Sequence, residues 1–339
     1  MTPPGARRAL LGLVGAIAAA IALVTAVGRI AGFTEVRAAL DSADPQWLVL
    51  CAVGQVIVFV GYAGVVRRAV LDDQGTLSTG DSLRIVLATF AATQLFALGG
   101  AVGLALLYWV IRQRGRERRD AAVTLIGLNT AVYLVFATLA WIAAAIALAA
   151  GSAPTGMCAF WLVSVPVLLV AAAWFTAPRR VARWTSSSSG RVRSLLAVGV
   201  DAAAWTRHRL RADRELFGWA LLYWVGDLVS LGAALRAFDV GIGRAPLVVA
   251  YTTGYLAQAL PIPLIGTAGV DAATTATLHA VGVPLEAALL GVLAHRLFAF
   301  WLPVIPGTVL ALTLPAAAWS DRPEPSGAGT GSIGSGEGE

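Results

Sequence analysis

The chain has 339 residues, of which 58% are hydrophobic and 13% charged, with a mean hydropathy of +0.76. Soluble domains carry about 25% charged residues, so this composition excludes a water-soluble globular protein and indicates an integral membrane protein built as one bundle of helices. The net charge of +6 and pI near 10 suit contact with anionic lipid headgroups, not nucleic acid, because the arginines flank hydrophobic runs.

No lysine occurs, so all 25 strongly basic residues are arginine and Schiff-base chemistry at lysine is excluded. Cys51 and Cys158 sit inside apolar runs, and the chain has three histidines. Neither a disulfide framework nor a metal site is supported, and no cofactor is expected.

A membrane span needs about 20 apolar residues. The first candidate, residues 9–28, follows Arg7 and Arg8 and is longer than the apolar part of a cleaved signal. With the loop up to residue 44 it forms the first unit. Further spans are expected near 45–66, 121–150, 156–177, 216–238 and 285–314. Two segments resist a single-span reading: 80–111, interrupted at Gly99, Gly100 and Gly103, and 245–281, interrupted between Pro261 and Gly269.

Arginines orient these segments through the positive-inside rule. Arg7, Arg8, Arg67 and Arg68 mark cytoplasmic ends, as does the run RQRGRERR from Arg112 to Arg119. Segment 80–111 must then enter from the inside and return, while 245–281 dips in from the outside. The basic stretch 178–215 is cytoplasmic and contains an amphipathic helix lying in the interface. Residues 319–339, almost without apolar content, are expected to be disordered. The result is an all-α, polytopic protein of the plasma membrane with about six full spans, two re-entrant broken-helix hairpins and both termini cytoplasmic. Residues 45–177 and 216–318 form two halves. Gly99, Gly115 and Asn129 match Gly266, Gly282 and Arg296 at one constant offset, which favours an inverted repeat.

The segment from 261 to 306 carries Asp271, His279, Glu286, His295 and Arg296 in an otherwise apolar stretch. Charges at that depth cost several kcal/mol unless paired or hydrated, which makes them candidates for function. Asp271 and Arg296 are the expected pair, either contacting a lipid headgroup or locking the broken hairpin onto the last helix. Pro261, Pro263, Gly266 and Gly269 break the helix there, and amides freed at the start of a half-helix attract anions; a tight turn is the plainer use of the glycines. Asp227 and Gln258 are candidates to line the same cavity. His295 points to another helix face than Arg296, and His279 is a candidate for proton coupling. Glu286 reads as a helix N-terminal charge, and the tryptophans, including Trp224, as packing or interface anchors.

The pattern Pro261-x-Pro263, Gly266-x-x-Gly269-Val270-Asp271, Gly282-Val283-Pro284, then Arg296, Phe298, Trp301, Pro303 and Gly307 resembles the flippase-like transmembrane domain of lysylphosphatidylglycerol synthases and their stand-alone relatives. That family usually has Glu where this chain has Asp271. Arg84, the break at Gly99–Gly103 and Arg112–Gly115 fit the weaker N-terminal half, which adds Arg84 to the candidate binding residues. Relatives often carry acidic residues near the positions held here by Leu104 and Asn129. The resemblance implies movement or sequestration of a lipid with a polar headgroup. Aminoacyl transfer belongs to a separate soluble domain in that family; none follows Pro315 in this sequence, so synthase activity is not expected.

The expected function is non-enzymatic translocation of a lipid with a polar or anionic headgroup, such as an aminoacyl phospholipid or a polyprenyl-phosphate-linked sugar. The alternatives are a membrane glycosyltransferase using a lipid-linked donor, with Asp41 and Asp44 as external carboxylates, and a scaffold for a lipid-modifying enzyme. The expected partners are membrane lipids. No Walker loop or Gly-x-Ser-x-Gly elbow occurs.

Overall fold

The computed structural model describes residues 43–70, 77–95, 101–177, 190–259 and 266–320. These form ten α-helices and no strand: α1 (Pro45–Val70), α2 (Thr79–Leu95), α3 (Ala101–Gln113), α4 (Arg118–Ala149), α5 (Thr155–Phe175), α6 (Gly190–Ala212), α7 (Arg214–Ala237), α8 (Arg244–Tyr255), α9 (Gly266–Ala280) and α10 (Leu285–Ser320). The 3₁₀ turn Leu256–Ala259 extends α8. Helices α1, α4, α5, α7 and the Leu285–Gly307 part of α10 are long and apolar enough to cross a bilayer. The chain is a polytopic all-α membrane protein. The expected span at 9–28 and the tail beyond Ser320 lie outside the described residues.

Helix limits follow local chemistry. Pro45 opens α1, where its missing N–H costs nothing. The Asp44 carboxylate accepts from the Gln46 amide at 2.9 Å, and Arg67 and Arg68 close the last turn, opposite the negative end of the helix dipole. Both interrupted segments resolve into pairs of short helices. At 1.5 Å per residue, α2, α3, α8 and α9 reach only about 18–26 Å, less than a ~30 Å hydrocarbon layer. Gly115 and Gly282, with φ of 82° and 99°, end α3 and α9 in the left-handed conformation that glycine adopts without strain.

Helices α1 and α7 share the most extensive packing in the bundle. Gly54 and Gly226 face each other there: a Cβ on Gly54 meets the Gly226 carbonyl oxygen at 2.8 Å, and one on Gly226 meets that of Gly54 at 2.9 Å. In lipid, helix association relies on close van der Waals contact, which small residues permit. Around this pair α10 packs on α2 and α4 on α8, while α2–α3 and α8–α9 fold against each other. Helix α5 lies at the edge against α4; Val163, Leu168 and Val170 are each more than 60% exposed, as suits a lipid-facing surface.

The polar end of the bundle is tied together by Asp213. Its carboxylate accepts from the Leu216 amide at 3.2 Å and so caps α7. It also accepts from Arg68 of α1 at 2.9 Å and Arg209 of α6 at 3.0 Å. Helix α6 lies along α4, where Thr206 donates to the Gly127 carbonyl at 3.2 Å and Arg119 pairs with Asp201 at 2.6 Å. Leu195 and Leu196 of α6 stay exposed among arginines.

Burial pushes the Asp213 carboxyl up, but the bonds from Arg68, Leu216 and Arg209 outweigh it and hold the group below its ordinary value. A carboxyl depressed in the folded state contributes stability above its unfolded pKa and loses it as pH falls through the folded value. Wild type is therefore expected to melt above Asp213→Asn at neutral pH, with the gap in Tm closing as pH falls below about 4. A gap independent of pH would show that Asp213 acts only as a neutral cap. Gly54→Val is expected to cost about 1–3 kcal/mol by forcing α1 from α7, read as a lower Tm in detergent.

Candidate functional site

Helix α9 starts at Gly266 directly after the interruption, and Asp271 lies in its second turn. Helix α10 presents Arg296 toward it. The Arg296 Nε donates to Asp271 Oδ1 and Oδ2 at 3.1 and 2.9 Å, and Nη2 donates to Oδ1 as well. The contact is bidentate, the geometry in which a guanidinium and a carboxylate satisfy each other best. The side chains are 22% and 17% exposed. Arg296 lies about 17 Å along α10 from Leu285 at 1.5 Å per residue, near mid-depth of the span.

The preceding residue, His295, is rotated about 100° around the same helix and meets a different set of partners. Its Nε2 lies 3.5 Å from Asp227 Oδ1 of α7. Its Nδ1 lies 3.1 Å from Ser230 Oγ and 3.4 Å from Gln55 Nε2. Gln55 of α1 donates to Asp227 Oδ1 at 2.8 Å and to Ser230 Oγ at 3.1 Å. The Tyr251 hydroxyl of α8 donates to Asp227 Oδ2, and Cys51 Sγ sits 3.2 Å from Ser230 Oγ. Four helices thus meet at one polar network in the apolar interior. Gln55 and Ser230 are almost fully buried, and each has a hydrogen-bond partner, as burial demands.

Aromatic rings wall this network on one side. Trp224 packs against Phe136 at 4.5 Å and Tyr255 at 5.3 Å, and Tyr255 lies 5.7 Å from Tyr251. The indole of Trp224 donates to the Val132 carbonyl at 2.9 Å, and that of Trp161 to Thr253 Oγ1 at 3.0 Å. Trp224 is a buried packing residue, 1% exposed, whereas Trp141 is 40% exposed.

The remaining candidates are dispersed. Gly266 and Gly269 form the first turn of α9, while Pro261 and Pro263 lie outside the described residues. Gln258 is exposed on the 3₁₀ turn after α8. Arg84 is exposed on α2 and lies 3.5 Å from Asp81. His279 sits at the end of α9, its Nδ1 3.0 Å from the Val283 carbonyl. Asp44 serves as the cap of α1. Cys51, Gln55, Ser230 and Tyr251 were not among the candidates. The available signal was polar residues in three long apolar runs, Gln55, Asp227 and His295, each near the middle of its span.

A family profile, the lysylphosphatidylglycerol synthase TM region, matches residues 11–307. The chain belongs to that family. No curated protein and no solved structure matches it.

Breaking a buried ion pair from one side leaves the other charge without compensation and costs about 3–5 kcal/mol. Arg296→Gln and Asp271→Asn are each expected to lower Tm in detergent more than the double variant Asp271→Asn/Arg296→Gln. A double variant that is the least stable of the three would mean that the two residues act independently.

Proposed function

We propose that this family member moves a lipid with a polar or anionic headgroup between leaflets without chemical turnover, and that Asp271 and Arg296 contact the headgroup. The observation that carries this reading is the bidentate, partly exposed pair at the start of the helix that follows the interruption. A guanidinium paired with a carboxylate can exchange it for a lipid phosphate, and the carboxylate can take an ammonium in return. The N-terminal end of α9 adds partial positive charge beside the pair.

The arrangement of the elements supports an inverted repeat. Each half runs long helix, short pair, long helix: α1, α2–α3, α4 and α7, α8–α9, α10. The contacts between halves are reciprocal, with α4 on α8 and α10 on α2. Gly115 and Gly282 close the short pairs, each with a positive φ, at the spacing the sequence match requires. In this reading α2–α3 and α8–α9 are re-entrant hairpins entering from opposite faces, as in transporters whose sites lie at mid-membrane. The plasma membrane is the site of action, and the arginine-rich ends of α1, α3 and α6 are cytoplasmic. Lipids are the partners, and no cofactor is called for.

The test is lipid movement in proteoliposomes of phosphatidylcholine and phosphatidylglycerol carrying a fluorescent phosphatidylglycerol, read by quenching of the outer leaflet. Asp271→Asn/Arg296→Gln is expected to slow the protein-dependent rate at least tenfold while the protein still elutes as a folded particle. An unchanged rate in that folded double variant removes the pair from the translocation path and reduces it to a lock between α9 and α10.

A further inference from the structure

The network around His295 has two complete hydrogen-bonding states that differ by one proton. Gln55 Nε2 is a donor only and lies 3.4 Å from His295 Nδ1, with Ser230 Oγ at 3.1 Å. In a neutral ring Nδ1 is therefore the acceptor, and the N–H is on Nε2, facing Asp227 Oδ1 at 3.5 Å. In this state Ser230 donates its hydroxyl hydrogen to Nδ1. When Nδ1 takes up a proton, the new N–H donates to Ser230 Oγ. The serine hydrogen then turns toward Cys51 Sγ, 3.2 Å away. Gln55 keeps its bonds to Asp227 Oδ1 and Ser230 Oγ in both states. Only the long Gln55–Nδ1 contact is given up, because both atoms then carry hydrogen; Gln55, Ser230 and His295 each keep a partner, and the imidazole passes from neutral to a single positive charge.

Charge balance favours that uptake. Asp227 is 15% exposed and His295 12%. Among the described residues of this interior, Asp227 and Asp271 are negative and Arg296, bound to Asp271, is positive. One negative charge remains until His295 is protonated, and an uncompensated charge in hydrocarbon is costly. The surroundings of His295 are otherwise neutral. Helix α1 contributes Gln55 and Cys51, α7 Ser230 beside Asp227, and α8 the Tyr251 hydroxyl, which donates to Asp227. Helix α9 contributes Asp271, already bonded to Arg296. Helix α2 approaches α10 at Gly307, about three turns further along, and its Asp81 and Arg84 are exposed.

We propose that His295, held between Asp227 and Ser230, binds one exchangeable proton, and that this proton is the coupling ion for headgroup exchange at the adjacent Asp271–Arg296 pair. The coupling rests on the lipid movement proposed above; the proton site does not. Residues 295 and 296 are consecutive on one rigid helix, so a shift of α10 that loosens one carboxylate contact moves the other. Proton binding tightens the contact of α10 with α7, and lipid phosphate relaxes its contact with α9.

The chain has three histidines, and His208 and His279 are exposed on α6 and α9, so histidine signals can be assigned by single substitutions. The experiment is a pH titration from about 5 to 9, the range in which imidazole changes charge, of the full chain in lipid nanodiscs with ¹⁵N-labelled histidine. His295 is expected to show one protonation step, and Asp227→Asn to lower its proton affinity at least tenfold without moving His208 or His279. Ser230→Ala, a smaller side chain in a tight place, is expected to shift the midpoint in the same direction because the protonated ring loses its acceptor. A His295 signal that does not titrate, or that ignores both substitutions, overturns the proton site. In proteoliposomes carrying the fluorescent phosphatidylglycerol, an imposed pH gradient is expected to accelerate wild type and not His295→Gln. Wild-type movement indifferent to the gradient overturns the coupling. Absence of any wild-type movement instead sinks the translocation reading, and with it the coupling, while the titration alone decides the proton site.

Discussion

Hydrocarbon offers a polar or charged side chain few partners except another helix, and α10 meets that requirement twice in succession. His295 and Arg296 are neighbours in sequence, yet the 100° step of the helix turns them to different carboxylates, Asp227 on α7 and Asp271 on α9. These two contacts fix the rotation of α10 about its own axis. They also tie the last long helix to both parts of the interrupted segment, because Tyr251 of α8 completes the shell of Asp227. A helix with only apolar residues could rotate or slide at little cost; one with two polar contacts on different faces cannot.

The second contact depends on how closely α1 approaches α7. Gln55 reaches Asp227 and Ser230 because the residue before it, Gly54, lies against Gly226 with no room for a side chain between the backbones. Backbone contact therefore sets the distance at which a short amide can bridge to a carboxylate. Packing and polar chemistry are one feature here, and a bulkier residue at 54 or 226 would alter both. The far end of the same helix pair is held by Arg68 and Asp213, so α1 and α7 are joined at the middle by small residues and at the end by charge.

Much of the architecture was legible because bilayer physics simplifies the problem. Apolar runs expected at 45–66, 121–150, 156–177 and 216–238 correspond to α1, α4, α5 and α7 within a few residues. The two interrupted segments could be recognised because glycine and proline stand where a continuous helix should be, and each contains two short helices on either side of its interruption. The contact between Asp271 and Arg296 was legible for a similar reason: two opposite charges in an apolar stretch have few alternatives to each other. The network around Asp227 was harder to foresee. Gln55, Ser230 and Tyr251 are neutral, follow no motif and come from three different helices. Helix geometry turns His295 away from Arg296, but nothing local in sequence names the carboxylate on the face where it points. Tertiary packing supplies that partner.

The two proposed halves differ where it matters for charge. Fourteen residues after the glycine that closes each short pair, α4 carries Asn129 and α10 carries Arg296. Asn129 donates its amide to the Leu125 carbonyl of its own helix at 2.9 Å, so it needs no partner from another element. Arg296 cannot be satisfied in that way, because its helix offers no free carboxylate within reach and the nearest one belongs to α9. The same position is thus self-contained in the first half and dependent on its neighbours in the second. Ionic contacts in the described interior gather on α7, α9 and α10, while α1 and α8 add neutral donors. Separating α9 or α7 from α10 would leave Arg296 or Asp227 without these contacts in a poorly solvating interior, which is costly.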